Sequence, residues 1–452
     1  MGAPGRSARQ NSILSKIREA GVVGAGGAGF PTEAKLSRQA GVVIANASEC
    51  EPLLESDKHL ILRECEKVLA GLGLAMEAAG ASSGVVAVKK KHEDIIAILN
   101  EIIKGTDISV FPLENFYPAG DEHVLVYEIT GRTVPMGGIP ISAGAVVLNA
   151  ATLAAVADAC EGKPFTERYV TVAGEVKRPC VSVVPVGTSV REVIETAGGG
   201  MAGSGCVLIE GGPMTGKVIT DPDTPVKKTT AAVIALPADC RTVTLKVSDP
   251  KTTVRRARSV CCQCSLCTDL CPRRQLGHKL FPHKSMRIFA GIDGYLNERD
   301  ALSVSLCSEC GLCAYYACPM ELAPNRVNAV LKSALSDKGV KTDFNEWQPD
   351  ETDVFREGRK VPSKRLLIRM GLAKYDAKLS FVGFPKAPDK VELILKQHIG
   401  RPAVPAVSVN DRVAAGAKVA GIPEGALSAA VHTPVAGRVA SVTDAKIIVE
   451  RS

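Results

Sequence analysis

Aromatic side chains are scarce in this chain: 4% of its 452 residues, with a single tryptophan. Proteins that grip single-stranded nucleic acid need aromatic faces on which bases stack, so the scarcity argues against that class. A strong charge of one sign is also missing. The net charge is +7, spread along the chain. Two small basic clusters, Arg255, Arg256 and Arg258, then Arg359, Lys360, Lys364 and Arg365, read as solvated faces. No run of 18 or more apolar residues occurs, so no segment is expected to span a membrane. No secretory signal is read, and the 15 cysteines therefore point to thiols in a reducing cytosol rather than a disulfide framework. What is present, 46% hydrophobic and 23% charged residues, is the balance of a globular chain. Its length suggests about three domains.

The cysteines are not evenly placed. Residues 261–272 read Cys261-Cys262-Gln263-Cys264-Ser265-Leu266-Cys267-Thr268-Asp269-Leu270-Cys271-Pro272. That is C-x₂-C-x₂-C-x₃-C-P, the bacterial spacing for a [4Fe–4S] cluster. A second run, Cys307, Cys310, Cys313 and Cys318-Pro319, repeats it with one extra residue before its last cysteine. Three thiolates two residues apart wrap three corners of one cubane, and the fourth, held by the proline, is aimed at the other cluster. The expected sets are Cys261, Cys264, Cys267 and Cys318 on one cluster, and Cys271, Cys307, Cys310 and Cys313 on its neighbour. Zinc sites use pairs of C-x₂-C, which this pattern is not. Cys262 is a spare thiol, and either it or Cys261 is the first ligand; the x₂ register favours Cys261. The other cysteines, at 50, 65, 160, 180, 206 and 240, are expected with Cys262 to be mostly small buried apolar residues.

Ahead of the cysteines, residues 1–9 read as a loose tail, and Asn11 or Ser12 as the cap of a short helix through Glu19. Gly24-Ala25-Gly26-Gly27-Ala28-Gly29-Phe30-Pro31 follows, with Lys35 five residues past Phe30. A glycine-rich loop opening a helix offers backbone N–H groups to a phosphate, and the lysine adds a cation. No clear strand precedes it, so it is not the dinucleotide fingerprint. The buried strand Gly41–Ala45 runs into Asn46, Ser48, Glu49, Cys50 and Glu51, which places acids at the usual ligand face of an open α/β sheet. A helix at 61–80, a strand at 84–89 and a helix at 93–103 continue the alternation. A polar loop at 117–123 follows, and the segments 136–140 and 146–152 close the domain. A hairpin at 169–185, a helix at 189–196 and strands at 206–210 and 241–247 follow. After the cysteines come a helix at 325–336, a charged stretch at 337–375, and short strands from about Lys390.

The motifs G-x-G-G-A-G-F-P-T-x-x-K, N-x-x-E-x-E-P, Y-x-x-G-[DE]-E and V-x-N-x-x-T, in that order, resemble the flavin-bearing NADH-binding subunit of respiratory complex I. They resemble the C subunit of the Rnf electron-transport complex still more. Residue by residue, the resemblance implies FMN binding by Gly24, Gly26, Gly27, Gly29, Lys35, Asn46, Glu49, Gly120 and Asn149. It implies Phe30 as an aromatic wall, and Glu51 and Glu122 as catalytic acids orienting the nicotinamide of NADH. Three positions depart: Ala25 stands where complex I has an arginine, Ser48 for an aspartate, and Leu148 for an asparagine. Residues 167–247 resemble the β-grasp domain of the same family, mainly a spacer and docking surface, given no chemistry. The last strands resemble the barrel-sandwich hybrid of lipoyl carriers, with His432-Thr433-Pro434 at the tip where carriers have a modified lysine. In the Rnf protein this module is N-terminal. Its C-terminal place here, and the x₄ spacing before Cys318, resemble the cobalamin reductase family of propanediol-utilisation microcompartments.

The resemblance implies a multidomain α/β and α+β chain. Its parts are an FMN/NADH α/β domain (1–165), a β-grasp domain (166–248), a bacterial two-[4Fe–4S] ferredoxin-like domain (249–336), a linker (337–388) and an all-β barrel-sandwich hybrid (389–452). It implies a reductase that takes a hydride from NADH on FMN and passes single electrons through two [4Fe–4S] clusters to a corrinoid, for regeneration of adenosylcobalamin. A partner adenosyltransferase, microcompartment shell proteins, a cytoplasmic place inside a microcompartment and a homo-oligomer come with that reading. Nucleic acid does not. The rival is an Rnf-type adaptor that delivers electrons to another redox protein without oxidising NADH itself. His59, His278, His283 and His398 are read as structural or surface residues.

Overall fold

The computed structural model describes residues 7–290 and 298–452. The first six residues of the expected tail lie outside this range. From Ser7 the chain is already ordered into a helix, Ala8–Glu19. Ser7 Oγ accepts from the Gln10 N–H, and Gln10 Oε1 accepts from the Ser7 N–H. This reciprocal capping box makes Ser7 the cap, in place of Asn11 or Ser12.

The first sheet has four parallel strands in the order Ile108–Leu113, Ser83–Lys89, Val42–Ala47, Ala145–Asn149. Its strands are runs of Val, Ile and Ala because helices cover its faces. One helix, Ser56–Ala79, buries Leu60, Ile61, Val68, Leu69 and Leu72 and ends at Gly80 in the left-handed region. It packs beside the helix Ala150–Cys160. Asn46 and Asn149 are register partners at the carboxyl ends of adjacent strands. That edge is where open α/β sheets bind ligands.

The second sheet is mixed and has six strands. In order they are Ser380–Phe381, Cys180–Pro185, Glu167–Gly174, Ala232–Pro237, Cys206–Glu210 and Lys217–Ile219. Two differences from expectation stand here. The strand Ala232–Pro237, wholly apolar between Lys228-Thr229-Thr230 and Asp239, is additional to those expected. The segment 241–247, expected as a strand, is the helix Arg241–Val247. Its Thr-Val-Thr-Leu alternation mimics a strand, but tertiary bonds decide. Thr242 Oγ1 donates to the Met370 carbonyl, and Arg241 reaches the Tyr315 and Arg369 carbonyls and Glu321.

The stretch 337–388 is draped over the other parts. Val361–Pro362 pairs with Phe116–Tyr117, and Ser380–Phe381 extends the second sheet. The basic cluster at 359–360 is not solvated. Lys360 pairs with Glu128 and Glu357, Arg359 with Asp353, and Arg356 with Glu128. The last module consists of two small sheets. One orders Lys390–Ile394, Lys446–Arg451, Gly437–Val442 and Arg412–Val413. The other orders Val404–Pro405, Lys418–Gly421 and Val431–His432. His432 and Thr433, where carriers expose their lysine, are buried. Lys228 holds this module: its Nζ donates to the Gly21 carbonyl at 2.7 Å and to the Ala430 carbonyl at 2.8 Å. Of the seven cysteines outside the expected ligand sets, only Cys65 and Cys180 are buried; Cys50, Cys160, Cys206 and Cys240 are half-buried and Cys262 is exposed. Cys160 ends its helix, Cys206 opens its strand and Cys240 caps the helix Arg241–Val247, positions that leave a thiol partly open. Among the described residues no helix is long and apolar enough to cross a membrane.

Candidate functional site

The Gly24–Phe30 loop is closed by its own backbone: the Gly24 N–H donates to the Phe30 carbonyl, and Gly29 N–H to Gly24. Thr152 Oγ1 accepts from the Ala25 N–H at 2.9 Å, and buried Arg168 donates to the Ala25 carbonyl at 3.0 Å. The loop is thus pinned from the sheet edge and from the second domain. It walls a cavity of about 950 Å³. Gly27 sits at φ +113°, and a Cβ there would meet no protein atom within 4 Å. It faces open space, as a backbone that a ligand must approach would.

Gly24, Gly26, Gly27, Phe30, Lys35, Asn46, Glu49, Glu51, Gly120, Glu122 and Asn149 all line this cavity. Gly29 does not. At φ +67° it backs onto the C-terminal module, where a Cβ would come within 2.9 Å of the Gln397 carbonyl oxygen. Lys35 Nζ and Glu122 Oε1 form an ion pair at 2.7 Å. Asn46 Nδ2 donates to the Gly120 carbonyl, and Asn46 Oδ1 accepts from the Ser48 hydroxyl. The Glu49 carboxylate accepts from the Ser56 hydroxyl and from the Asp57 and Lys58 N–H groups, so it caps the helix Ser56–Ala79. Asn149 Nδ2 donates to Asp57 Oδ2. Burial, with the Glu49 carboxylate beside it, pushes Asp57 up to about 7. Burial raises Glu49 and Glu51 as well.

Glu51 leaves its own domain. Its carboxylate accepts from the Met214 and Thr215 N–H groups at 3.0 and 2.8 Å and from the Thr215 hydroxyl. Gly212 must lack a side chain, since a Cβ there would lie 2.1 Å from Glu51 Oε2. The Glu210–Lys217 segment, with Lys227 and Thr229, therefore forms one wall of the cavity. The β-grasp part is no mere spacer. Sequence reasoning missed this wall, Asp57 and Arg168. The run Gly211-Gly212-Pro213-Met214-Thr215-Gly216 carried the signal of a close approach; Asp57 and Arg168 carried none.

The cysteines fall into two groups. Cys261, Cys264, Cys267 and Cys318 surround one small cavity, with Cys262 also on its wall. Cys271, Cys307, Cys310 and Cys313 surround a second. Among the described residues no three Cys, His, Asp or Glu side chains converge on a point fit for a single metal ion. Four thiols spaced around a void suit the corners of a cubane. Burial and the neighbouring thiols push Cys267 up to about 12 and Cys271 likewise; iron, which takes the thiolate, reverses that cost. The second cavity abuts the wall of the large one. Tyr117 OH donates to the Cys310 carbonyl at 2.6 Å. Arg273, two residues past Cys271, forks onto Asp121 beside Gly120 and Glu122. The four histidines are structural: His278 bonds the Val134 carbonyl, His398 that of Arg401, His59 that of Leu379, and His283 the Thr268 hydroxyl.

Four family patterns match the chain. They are the Nuo51 FMN-binding domain over residues 17–158, the SLBB domain over 169–218, the 4Fe-4S dicluster domain over 260–323, and the RnfC barrel sandwich hybrid domain over 368–451. Cobalamin reductase PduS of Citrobacter freundii is 39% identical over 443 residues, covering 97% of this chain and 96% of that one. Cobalamin reductase PduS of Salmonella typhimurium is also 39% identical, covering 98% and 97%. The C subunit of the Na(+)-translocating ferredoxin:NAD(+) oxidoreductase complex of Acetobacterium woodii is 36% identical over 58% of each chain. The chain is a multidomain oxidoreductase with an FMN domain and a domain for two [4Fe–4S] clusters.

Proposed function

The chain belongs to the cobalamin reductase PduS family, and from that premise we propose that it moves electrons from NADH to a corrinoid. The observation that supports this reading most is a juxtaposition. Gly120 and Glu122 line the 950 Å³ cavity, and Asp121 between them pairs with Arg273 of the second thiol cavity, while Tyr117, three residues before Gly120, donates to the Cys310 carbonyl, so a flavin site and a cluster site lie back to back.

When bound, FMN accepts a hydride as an electron pair, and iron–sulfur clusters carry electrons one at a time. The chain's own residues then have these roles in the proposal. Gly26 and Gly27 leave the loop backbone open to a phosphate, and Lys35 supplies the cation. Phe30 lines the cavity as an aromatic wall. Glu51, fixed by Met214 and Thr215, and Glu122, held by Lys35, orient the nicotinamide. The Asp57 carboxyl, whose Oδ2 accepts from Asn149 Nδ2, is placed to hold a proton near neutral pH. Cys261, Cys264, Cys267 and Cys318 ligate one cluster and Cys271, Cys307, Cys310 and Cys313 the other. Of Cys261 and Cys262, the proposal takes Cys261, which is half-buried and accepts at its sulfur from Gln263 Nε2, where Cys262 is exposed. An adenosyltransferase partner and a place within a microcompartment extend the same proposal.

The test is anaerobic reconstitution with FMN, iron and sulfide, followed by NADH and aquocobalamin. The expected result is flavin bleaching, then the spectrum of reduced cobalamin. A flavin that NADH leaves oxidised would make the chain an adaptor of the Rnf kind.

A further inference from the structure

We propose that a groove beside the first thiol cavity is the docking surface for an acidic, electron-accepting protein. This rests on the reading of the chain as an electron-transfer reductase. The groove has a volume of about 500 Å³. One side is made by the cysteine loops themselves, through Leu266, Tyr316 and Pro319. The other is the exposed face of the helix Ser363–Met370, through Arg365, Ile368 and Arg369. Pro319 also lines the cavity of Cys261, Cys264, Cys267 and Cys318. Pro319 is therefore shared by the groove and the thiol cavity.

The two thiol cavities differ in what they face. The second is joined to the flavin wall through Arg273 and Asp121, and Cys271 within it is buried. The first reaches the surface, where Cys264 is exposed. Around it, apolar side chains stand in solvent: Leu266 is 42% exposed, Met320 37% and Ile368 59%. Lone exposed apolar residues need no explanation, but these lie together over a redox centre.

The charges around the groove are mostly positive, and Arg369 and Arg256 also act on the Glu321 carboxylate. Among the described residues Arg365 and Arg369 form no ion pair, and Arg256 donates to the Met320 carbonyl at the rim. The two acids nearby are already engaged. Glu321 pairs with Arg241, and Asp269 lies 3.8 Å from Arg359. An apolar floor with a rim in net excess of arginine is the anatomy of a transient interface that recruits an acidic face. A shallow groove open to solvent does not enclose a small molecule as the flavin cavity does. Protein, not free corrinoid, is the occupant the geometry favours.

The test uses the full-length reconstituted protein and two redox probes, a plant-type [2Fe–2S] ferredoxin as the acidic protein and cytochrome c as its basic counterpart. Binding is measured anaerobically by calorimetry at low and raised salt. The parent should bind ferredoxin, less tightly as salt rises. Arg365→Glu with Arg369→Glu should weaken that binding by about tenfold or more and improve binding of cytochrome c. Iron and flavin contents report whether the variant is folded. Should it fail to fold, Ile368→Ser alone should still weaken ferredoxin binding. Unchanged ferredoxin affinity in a folded variant overturns the proposal. So does loss of aquocobalamin binding without loss of ferredoxin binding, which gives the groove to a small molecule. A parent dimer that the double variant converts to monomer overturns it too, by giving the groove to a second copy. A parent that binds ferredoxin through these arginines, but whose flavin NADH does not reduce, would sink the reductase reading and leave the docking surface standing.

Discussion

At the scale of single residues, the cavity is a place where burial is used against charge. Glu49, Asp57 and Arg168 are buried together, and the helix N-terminus at Ser56 satisfies only one of the two carboxylates. Asp57 is therefore raised from 3.8 to about 7. The folded state keeps a proton that the unfolded chain releases, so this stability is full below about pH 4. It declines as pH rises through about 7 and is then level. Asp57→Asn keeps the shape and removes the titration. The melting temperature of the variant should fall less than that of the parent between about pH 5 and about pH 7.5; parallel profiles would remove the assignment. Gly27 gives the second residue-scale prediction. Valine there strains a backbone at φ +113° and fills space no protein atom occupies. Gly27→Val should lose most of its bound FMN while its iron content stays near that of the parent. Equal loss of both would mean general unfolding. None of the Asp57 chemistry was legible in the sequence, because an aspartate in the first turn of a helix is ordinarily a solvated partner of the helix dipole.

At the scale of elements, most helices and parallel strands could be read from period and punctuation, and the failures share a cause. The helix Arg241–Val247 alternates like a strand, yet Thr242 and Arg241 find their partners in a segment more than 120 residues away. Local pattern cannot report such a partner. The same holds for Lys228. In the sequence it is one of two adjacent lysines before two threonines, and a surface loop is the natural reading. In the fold it is 2% exposed and ties three parts together through Gly21, Ala430 and the Gln397 side chain. Lys228→Met would leave two buried carbonyls without a donor, at roughly 1–3 kcal/mol each. The C-terminal module should then melt before the rest, and limited proteolysis should cut faster between Phe384 and Lys390. A cleavage rate equal to the parent's would show that the strand Lys390–Ile394 and its neighbours hold the module alone.

At the scale of the whole molecule, the sequence carried the parts and the order of the parts but not how they face one another. The cysteine spacing is rigid chemistry and could be read directly. The joining of the cysteine loops to the flavin wall could not, since Tyr117, Asp121 and Met214 look like ordinary loop residues until the chain is folded. That joining makes the two clusters unequal. Tyr117 links to Cys310, and Asp121 to Arg273 beside Cys271. The set Cys271, Cys307, Cys310 and Cys313 therefore lies inward, and the set Cys261, Cys264, Cys267 and Cys318 outward. Electrons should reach the inward cluster first. Cys264→Ser should leave that cluster reducible by NADH, seen by freeze-quench EPR, while transfer to any external acceptor is lost. Cys310→Ser should act in the other direction: NADH reduces the flavin, the outward cluster stays oxidised, and dithionite then reduces it. The dithionite arm separates a broken route from a missing cluster. An outward cluster that fills from NADH at the parent rate in Cys310→Ser would mean that electrons bypass the inward set, and the partition at Tyr117 would be packing rather than a path.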